Sequence, residues 1–138
     1  EKLTALKPAP DCYVLVAKPD INVSTKFVYQ NLKIDENTIH PDIDGILEGL
    51  EKQNLQKIVS SMGNVLEQVT AQEYPIIEEI KKVMKEAGAM NAMMSGSGPT
   101  VFGIFNDRSM ARRAEQNLRE RRIAKQIYLT NVHNTRRK

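Results

Sequence analysis

Apolar residues change their spacing several times along the chain, and each change marks an element. Tyr13–Ala17 (YVLVA) is a short continuous apolar run rich in β-branched side chains. It predicts a buried strand, ended by Lys18, Pro19 and Asp20. Phe27–Leu32 predicts a short helix, with Ser24 or Thr25 capping it by offering a hydroxyl to a free backbone N–H. Ile43, Ile46, Leu47 and Leu50 then recur at helical spacing behind Pro41 and Asp42, which suit a first turn. Asn54 caps a further helix with Leu55, Ile58, Val59 and Met62 on one face. Gly63 and Asn64 interrupt it, and Val65, Leu66 and Val69 resume the stripe. Pro75 at the first helical position opens a helix whose stripe is Ile76, Ile80, Val83, Met84 and Ala87, with Gly88 as its C-cap.

From Ala89 the pattern changes to that of strands. Ala89–Met94 and Thr100–Phe105 (TVFGIF) predict two strands joined by a Gly- and Ser-rich loop, Ser95–Pro99. Ser109 caps a helix that turns Ala111, Ala114 and Leu118 inward, and Gln126–Val132 predicts a last strand. With the helices after the first strand taken as one layer, the order is β-α-β-β-α-β. That order predicts an α+β fold of the ferredoxin-like, split βαβ kind: a four-stranded antiparallel sheet with a layer of helices on one face. Residues 1–11, with Pro8 and Pro10, read as a linker or lead-in, residues 12–133 as the domain and residues 134–138 as a basic tail.

Composition narrows the function classes. A length of 138 residues suits one domain, and 41% hydrophobic with 27% charged residues excludes a disordered or collagen-like chain. A single cysteine, Cys12, excludes a disulfide-stapled module and points to a reducing, cytoplasmic setting. It reads as an inert, half-buried thiol. No run reaches 18 apolar residues, so no membrane span and no membrane partner is expected. The chain starts at Glu1, which fits a start within a longer polypeptide. His40 and His133 have no Cys or carboxylate at ligand spacing, so no metal is expected. Asp42 and Asp44 read as helix-start residues, not an acid/base pair. Met90, Met93 and Met94 read as core fillers.

Charge is unevenly placed. Residues 108–138 carry ten Lys/Arg against Glu115 and Glu120, a balance of +8, whereas residues 1–107 carry ten against fifteen acids, a balance of −5. The basic end either attracts phosphate or nucleic acid, or is a solvated helix face and tail. An RNA-binding module on a ferredoxin-like sheet is therefore an alternative reading. Against it, Trp is absent, and Phe102 and Phe105, three apart on a strand, point to opposite faces. Arg112, Arg113, Arg119, Arg121 and Arg122 surround a helix instead of forming one stripe, and no nucleic acid is expected as a partner.

The segment with most chemistry is Ser95-Gly96-Ser97-Gly98-Pro99-Thr100. Its glycines permit positive φ and close approach, and successive N–H groups can form a nest for phosphate oxygens. Ser95, Ser97 and Thr100 add hydroxyls. No Gly-Lys-Ser/Thr follows, and a strand stands where the dinucleotide fingerprint needs a helix. The residues alone leave two readings open, a tight strand-to-strand turn and a functional loop.

The longer string Met94–Phe105 (MSGSGPTVFGIF) resembles the third signature motif of the GHMP kinases, the family of galactokinase and of the homoserine, mevalonate and phosphomevalonate kinases. The motif follows a helix ending in Gly-Ala there, as Glu86-Ala87-Gly88-Ala89 does here, and the resemblance covers most of Tyr13–Val132. Lys18–Tyr29 further resembles the segment of those members that act on a cytidine-diphosphate-linked sugar alcohol in non-mevalonate isoprenoid synthesis, with Pro19, Thr25 and Tyr29 matching. The resemblance implies that Thr25, Tyr29 and Gln30 bind this substrate, with the Tyr29 ring against the cytosine and Gln30 in the same pocket. Some relatives carry Phe and Lys at these last two positions. Ser95, Gly96, Ser97, Gly98, Pro99 and Thr100 would close the phosphate side. The resemblance also implies ATP and Mg²⁺ in the complete enzyme, bound mainly by an N-terminal domain that is the partner of this one. That domain carries the Gly/Ser-rich phosphate loop and the catalytic Lys and Asp, whose motifs do not occur here. No catalytic residue is therefore assigned, and the isolated chain is expected to be inactive. Another member, such as homoserine kinase, is the alternative within the family. On the residues alone, Thr25 is a substrate contact or a cap, Tyr29 a stacking ring or a solvated one, and Asn64 a cleft residue or a helix break.

Overall fold

The structure, a computed structural model, describes residues 10–32 and 41–132. His40 and His133, the polar stretch 33–40 and the tail 134–138 lie outside the described residues, as does most of the lead-in.

Among the described residues the β-rich runs form four strands: β1 (Cys12–Lys18), β2 (Asn91–Met94), β3 (Val101–Phe105) and β4 (Gln126–Val132). Every neighbour pair is antiparallel, in the order β2-β3-β1-β4. This is the split βαβ order: β3 sits between β1 and β2, which the long helical connection links, and β4 closes the far edge. Leu15 at the sheet centre faces Gly103 on one side and Leu129 on the other.

Among the described residues six helices accompany the sheet: α1 (Thr25–Gln30), α2 (Ile43–Glu51), α3 (Leu55–Ser60), α4 (Glu67–Glu73), α5 (Ile76–Glu86) and α6 (Arg108–Arg121). Strand alternation sends Leu15, Ala17, Val101 and Phe105 to one face, where Ile77, Ile80 and Met84 of α5 and Ala111, Ala114 and Leu118 of α6 cover them. This is the expected helix layer, with Ile77 added to its inner stripe. The opposite face carries Cys12, Val14, Phe102 and Ile104, and α3 packs Leu55 and Val59 against them. Phe102 and Phe105 thus lie on opposite faces, as their spacing predicts. Burial and the neighbouring charge of Asp11 push the Cys12 thiol above its ordinary pKa, so it stays protonated at neutral pH.

Three local expectations need correction. The stripe of α2 is not its buried face: Ile43 is 58% and Leu47 41% exposed, while Gly45 and Gly49 are buried. A Cβ on Gly49 would stand 2.6 Å from Ile58 Cγ1, so α2 meets α3 through its glycines, and close backbone approach outweighs the apolar stripe. Helix α6 is capped by Asp107 and not by Ser109: the Asp107 carboxylate accepts from both the N–H and the hydroxyl of Ser109. Ser24 alone caps α1, through the N–H of Phe27, which frees Thr25 for another contact.

Candidate functional site

The loop between β2 and β3 is closed by two of its own bonds. Ser95 N–H donates to Thr100 O at 2.8 Å, and Gly98 N–H donates to Ser95 O at 3.0 Å. Gly96 (φ +57°) and Gly98 (φ +91°) take the conformations that L side chains rarely adopt, and the Gly98–Pro99 peptide is cis. A Cβ on Gly98 would meet Met94 Sδ at 2.8 Å and Thr70 Cγ2 at 3.0 Å, whereas one on Gly96 would meet nothing within 4 Å. The loop is thus packed behind Gly98 and open at Gly96. Beside the open part lies a cavity of about 340 Å³ lined by Ile46, Met62, Met93, Gly96 and Phe102 among others.

Side chains from the connection before α5 hold the loop from behind. Asn64 Nδ2 donates to Met94 O at 2.6 Å and to Gly96 O at 2.8 Å, while its own carbonyl accepts from Leu66 N–H at 3.0 Å. Thr70, fully buried on α4, donates its hydroxyl to Ser97 O at 2.9 Å. Glu67 accepts from Met94 N–H at 2.7 Å and pairs through its other oxygen with Lys81 of α5, which also reaches Glu78 at 3.3 Å. Burial disfavours the Lys81 ammonium, but the hydrogen bonds and charges of Glu67 and Glu78 outweigh it and hold its pKa above the ordinary lysine value.

In front of the loop stands α1. Thr25 Oγ1 lies 3.1 Å from Ser97 Oγ, a hydrogen bond across 72 positions of sequence. Val28 anchors the helix in the core, and Tyr74 donates its hydroxyl to Asn22 O in the lead-in turn. Tyr29 is 59% exposed and Gln30 is exposed. The structure therefore brings Thr25 to the loop and leaves Tyr29 and Gln30 on the solvent side of α1. Of the loop's supports, the sequence singles out Asn64 and misses Glu67 and Thr70. Each acts on backbone 27 positions away, and such a contact leaves no local pattern. The break between α3 and α4 was the available signal, since it needs a partner for its polar groups.

A family described as GHMP kinases C terminal matches residues 40–124, more than half of the chain. The chain belongs to the GHMP kinases. Among curated GHMP relatives, the 4-diphosphocytidyl-2-C-methyl-D-erythritol kinase of Lachnoclostridium phytofermentans is 53% identical over 130 residues, 94% of this chain and 45% of that protein. The enzyme of the same name from a Geobacillus species is 48% identical over 119 residues, 86% of this chain and 41% of that protein. The chain thus spans less than half the length of these relatives. Of solved structures, a 4-(cytidine 5'-diphospho)-2C-methyl-D-erythritol kinase is similar at a TM-score of 0.72 and 26% identity, covering 95% of this chain and 46% of that one. L. major mevalonate kinase in complex with R-mevalonate shares the fold at 0.72 with 19% identity, covering 96% and 45%. Among the described residues no helix is long and apolar enough to cross a membrane, and no group of three or more His, Cys, Asp or Glu is placed to hold a metal ion.

Proposed function

We propose that this chain is the C-terminal, substrate-side part of an ATP-dependent kinase for 4-diphosphocytidyl-2-C-methyl-D-erythritol. The hydrogen bond between Thr25 and Ser97 carries the reading. It joins the segment that resembles a cytidine-binding one to a loop suited to phosphate, so one surface serves both ends of a cytidine diphosphate. The names of the relatives at 53% and 48% identity support the same substrate.

In this reading the exposed ring of Tyr29 lies against the cytosine, with Gln30 beside it and Thr25 at the junction with the ribose diphosphate. Ser95 to Thr100 close the phosphate side. The N–H groups of Gly96 and Ser97, which donate to no acceptor among the described residues, face the phosphate oxygens. ATP belongs mainly to an N-terminal domain, the partner that the relatives' greater length allows for, and Mg²⁺ would neutralise charge on the transferring phosphate there. The present chain supplies positioning and N–H donors but no catalytic base, so by itself it transfers no phosphate. A reducing, cytoplasmic setting suits its single protonated thiol, Cys12.

An RNA platform on the sheet is disfavoured by its aromatics. Phe105 is fully buried and Phe102 packs with α3, which leaves Tyr128 as an exposed ring on the α3 side of the described strands.

The test joins this chain to the N-terminal portion of the Lachnoclostridium phytofermentans relative and measures ADP release with 4-diphosphocytidyl-2-C-methyl-D-erythritol, homoserine and mevalonate. Turnover of the cytidine-linked substrate alone is expected, and turnover of either other alcohol overturns the reading. A titration of the 138-residue chain with cytidine, uridine and adenosine diphosphates provides a second decision that does not depend on the chimera folding. Cytidine-selective amide shifts at Thr25, Tyr29 and Ser97 are expected, and equal shifts for all three nucleotides overturn it.

A further inference from the structure

The outward N–H groups of the glycine loop have their cause on its other side. In a trans peptide the carbonyl of one residue and the N–H of the next point in opposite directions. Within Met94–Gly98 every peptide is trans, the cis bond being the following one. Asn64 takes the carbonyl of Gly96, which turns the N–H of Ser97 away from Asn64. Thr70 takes the carbonyl of Ser97, which turns the N–H of Gly98 back into the loop, where it reaches Ser95 O. That bond in turn fixes the Ser95–Gly96 peptide with the Gly96 N–H pointing out of the loop.

The geometry points to Asn64 and Thr70 as positioning residues: together they orient three consecutive peptides so that the N–H groups of Gly96 and Ser97 face the open side as a pair able to hold a diphosphate oxygen. Neither side chain touches the ligand. Thr70 is wholly buried, and both amide donors of Asn64 are spent on loop carbonyls. Their service to a diphosphate rests on the kinase reading above, whereas the orientation of the peptides does not.

Two near-isosteric changes separate orientation from bulk. Thr70→Val keeps the shape and removes the donor to Ser97 O. Asn64→Asp keeps the acceptor for Leu66 N–H and sets carboxylate oxygen against two carbonyl oxygens. Thr70→Ser restores the hydroxyl without the methyl. In the 138-residue chain, amide hydrogen exchange at Ser95 and Gly98 is expected to rise about tenfold in Thr70→Val and Asn64→Asp, the equivalent of one lost hydrogen bond, with the β1 and β3 amides unchanged. Thr70→Ser is expected to restore it. Exchange that stays as in the parent chain, or rises equally through the whole sheet, overturns the positioning role.

Titration with pyrophosphate gives the second readout. Gly96 and Ser97 amides of the parent chain are expected to shift, with about a tenfold weaker apparent affinity in Thr70→Val and recovery in Thr70→Ser. A parent chain whose loop amides ignore pyrophosphate overturns the diphosphate part and the phosphate side of the kinase reading, while the exchange result still decides the orientation. Pyrophosphate binding that Thr70→Val leaves intact overturns the positioning role alone.

Discussion

The glycine loop and helix α1 face each other across one hydrogen bond and are built by opposite means. The loop makes two internal bonds, takes three more from Asn64, Thr70 and Thr25, and is rooted by bonds of Asn64 and Glu67 to Met94 at the end of β2. Its conformation is dictated from behind, and its glycines sit where other residues are strained. Helix α1 has six residues, one buried side chain, Val28, and a cap from Ser24. Its other side chains are exposed, and a helix so short owes its place to that anchor and its flanks. The lesson is a division of labour. In the proposed kinase reading, a surface for phosphate, whose charge and shape are constant, can be rigid, while a surface that distinguishes bases carries its discrimination on side chains that cost the fold little to change. Substitutions on the two sides should therefore separate stability from specificity.

The sharpest break falls inside the loop, between its two positive-φ glycines. Gly98→Ala adds a methyl against Met94 Sδ and Thr70 Cγ2 at an unfavourable φ, and is expected to cost about 3 kcal/mol. Gly96→Ala meets open space and carries the backbone penalty alone, about 1 kcal/mol. Urea unfolding of both variants checks the ordering, with midpoints falling at an unchanged slope. Equal losses would mean that the loop is not packed behind Gly98.

Next comes the root of the loop. Glu67 and Lys81 keep only 17% and 13% of their side-chain surface, and Glu67 also holds the Met94 N–H. Glu67→Ala leaves a largely buried ammonium with only its longer pair to Glu78 and removes the acceptor of the Met94 N–H, for an expected loss of about 2 to 3 kcal/mol. Lys81→Met leaves the largely buried Glu67 carboxylate with the Met94 N–H as its remaining partner and is expected to cost a comparable amount, because removing one member of a buried pair leaves the other charge uncompensated. The pH dependence has a defined sign. The Lys81 pKa is raised on folding above the ordinary 10.5, so its contribution is complete below that value and fades as pH rises through the folded pKa. The stability gap between the parent chain and Lys81→Met should hold across neutral pH and close only in strong alkali. A gap that closes on moving from neutral to mildly alkaline pH would show that the ammonium is not held by the pair.

The same contrast governs how much could be read without coordinates. Strand order, the inner faces of α5 and α6 and the glycine loop follow from periodicity and composition, because burial imposes a repeat on neighbouring residues. Helix α2 is read wrongly on its face because Gly45 and Gly49 replace an apolar contact by backbone approach, which a hydrophobic count does not register. Asp107 takes the cap from Ser109 because an earlier acceptor in extended backbone reaches the free N–H groups first and binds the serine itself. Glu67 and Thr70 look like surface positions of an amphipathic helix. Their partners are carbonyl and N–H groups of β2 and the loop, and a backbone partner has no residue identity for a sequence to display. Thr25 is the intermediate case: its match to a segment pattern marks it, but only the contact with Ser97 shows that it is a junction and not a cap.

The smallest effect on the fold is expected at Tyr29, and there the comparison is most informative. Its ring is 59% exposed and takes no part in the anchor that Val28 provides, so Tyr29→Ala should change stability by no more than about 0.5 kcal/mol. Loss of a ring stacked on cytosine is worth about 1 to 3 kcal/mol, or roughly a fivefold to 150-fold rise in KM for the cytidine-linked substrate in the chimeric kinase. Tyr29→Phe keeps the π-face and should keep KM, since the hydroxyl is in water. Gln30→Lys, at an exposed position of α1, should leave stability in place. A Tyr29→Ala enzyme with unchanged KM would place the base elsewhere, and the cavity of about 510 Å³ between α1 and α4, lined by Phe27, Asn31, Leu32 and Val69 among others, would then be the surface to test.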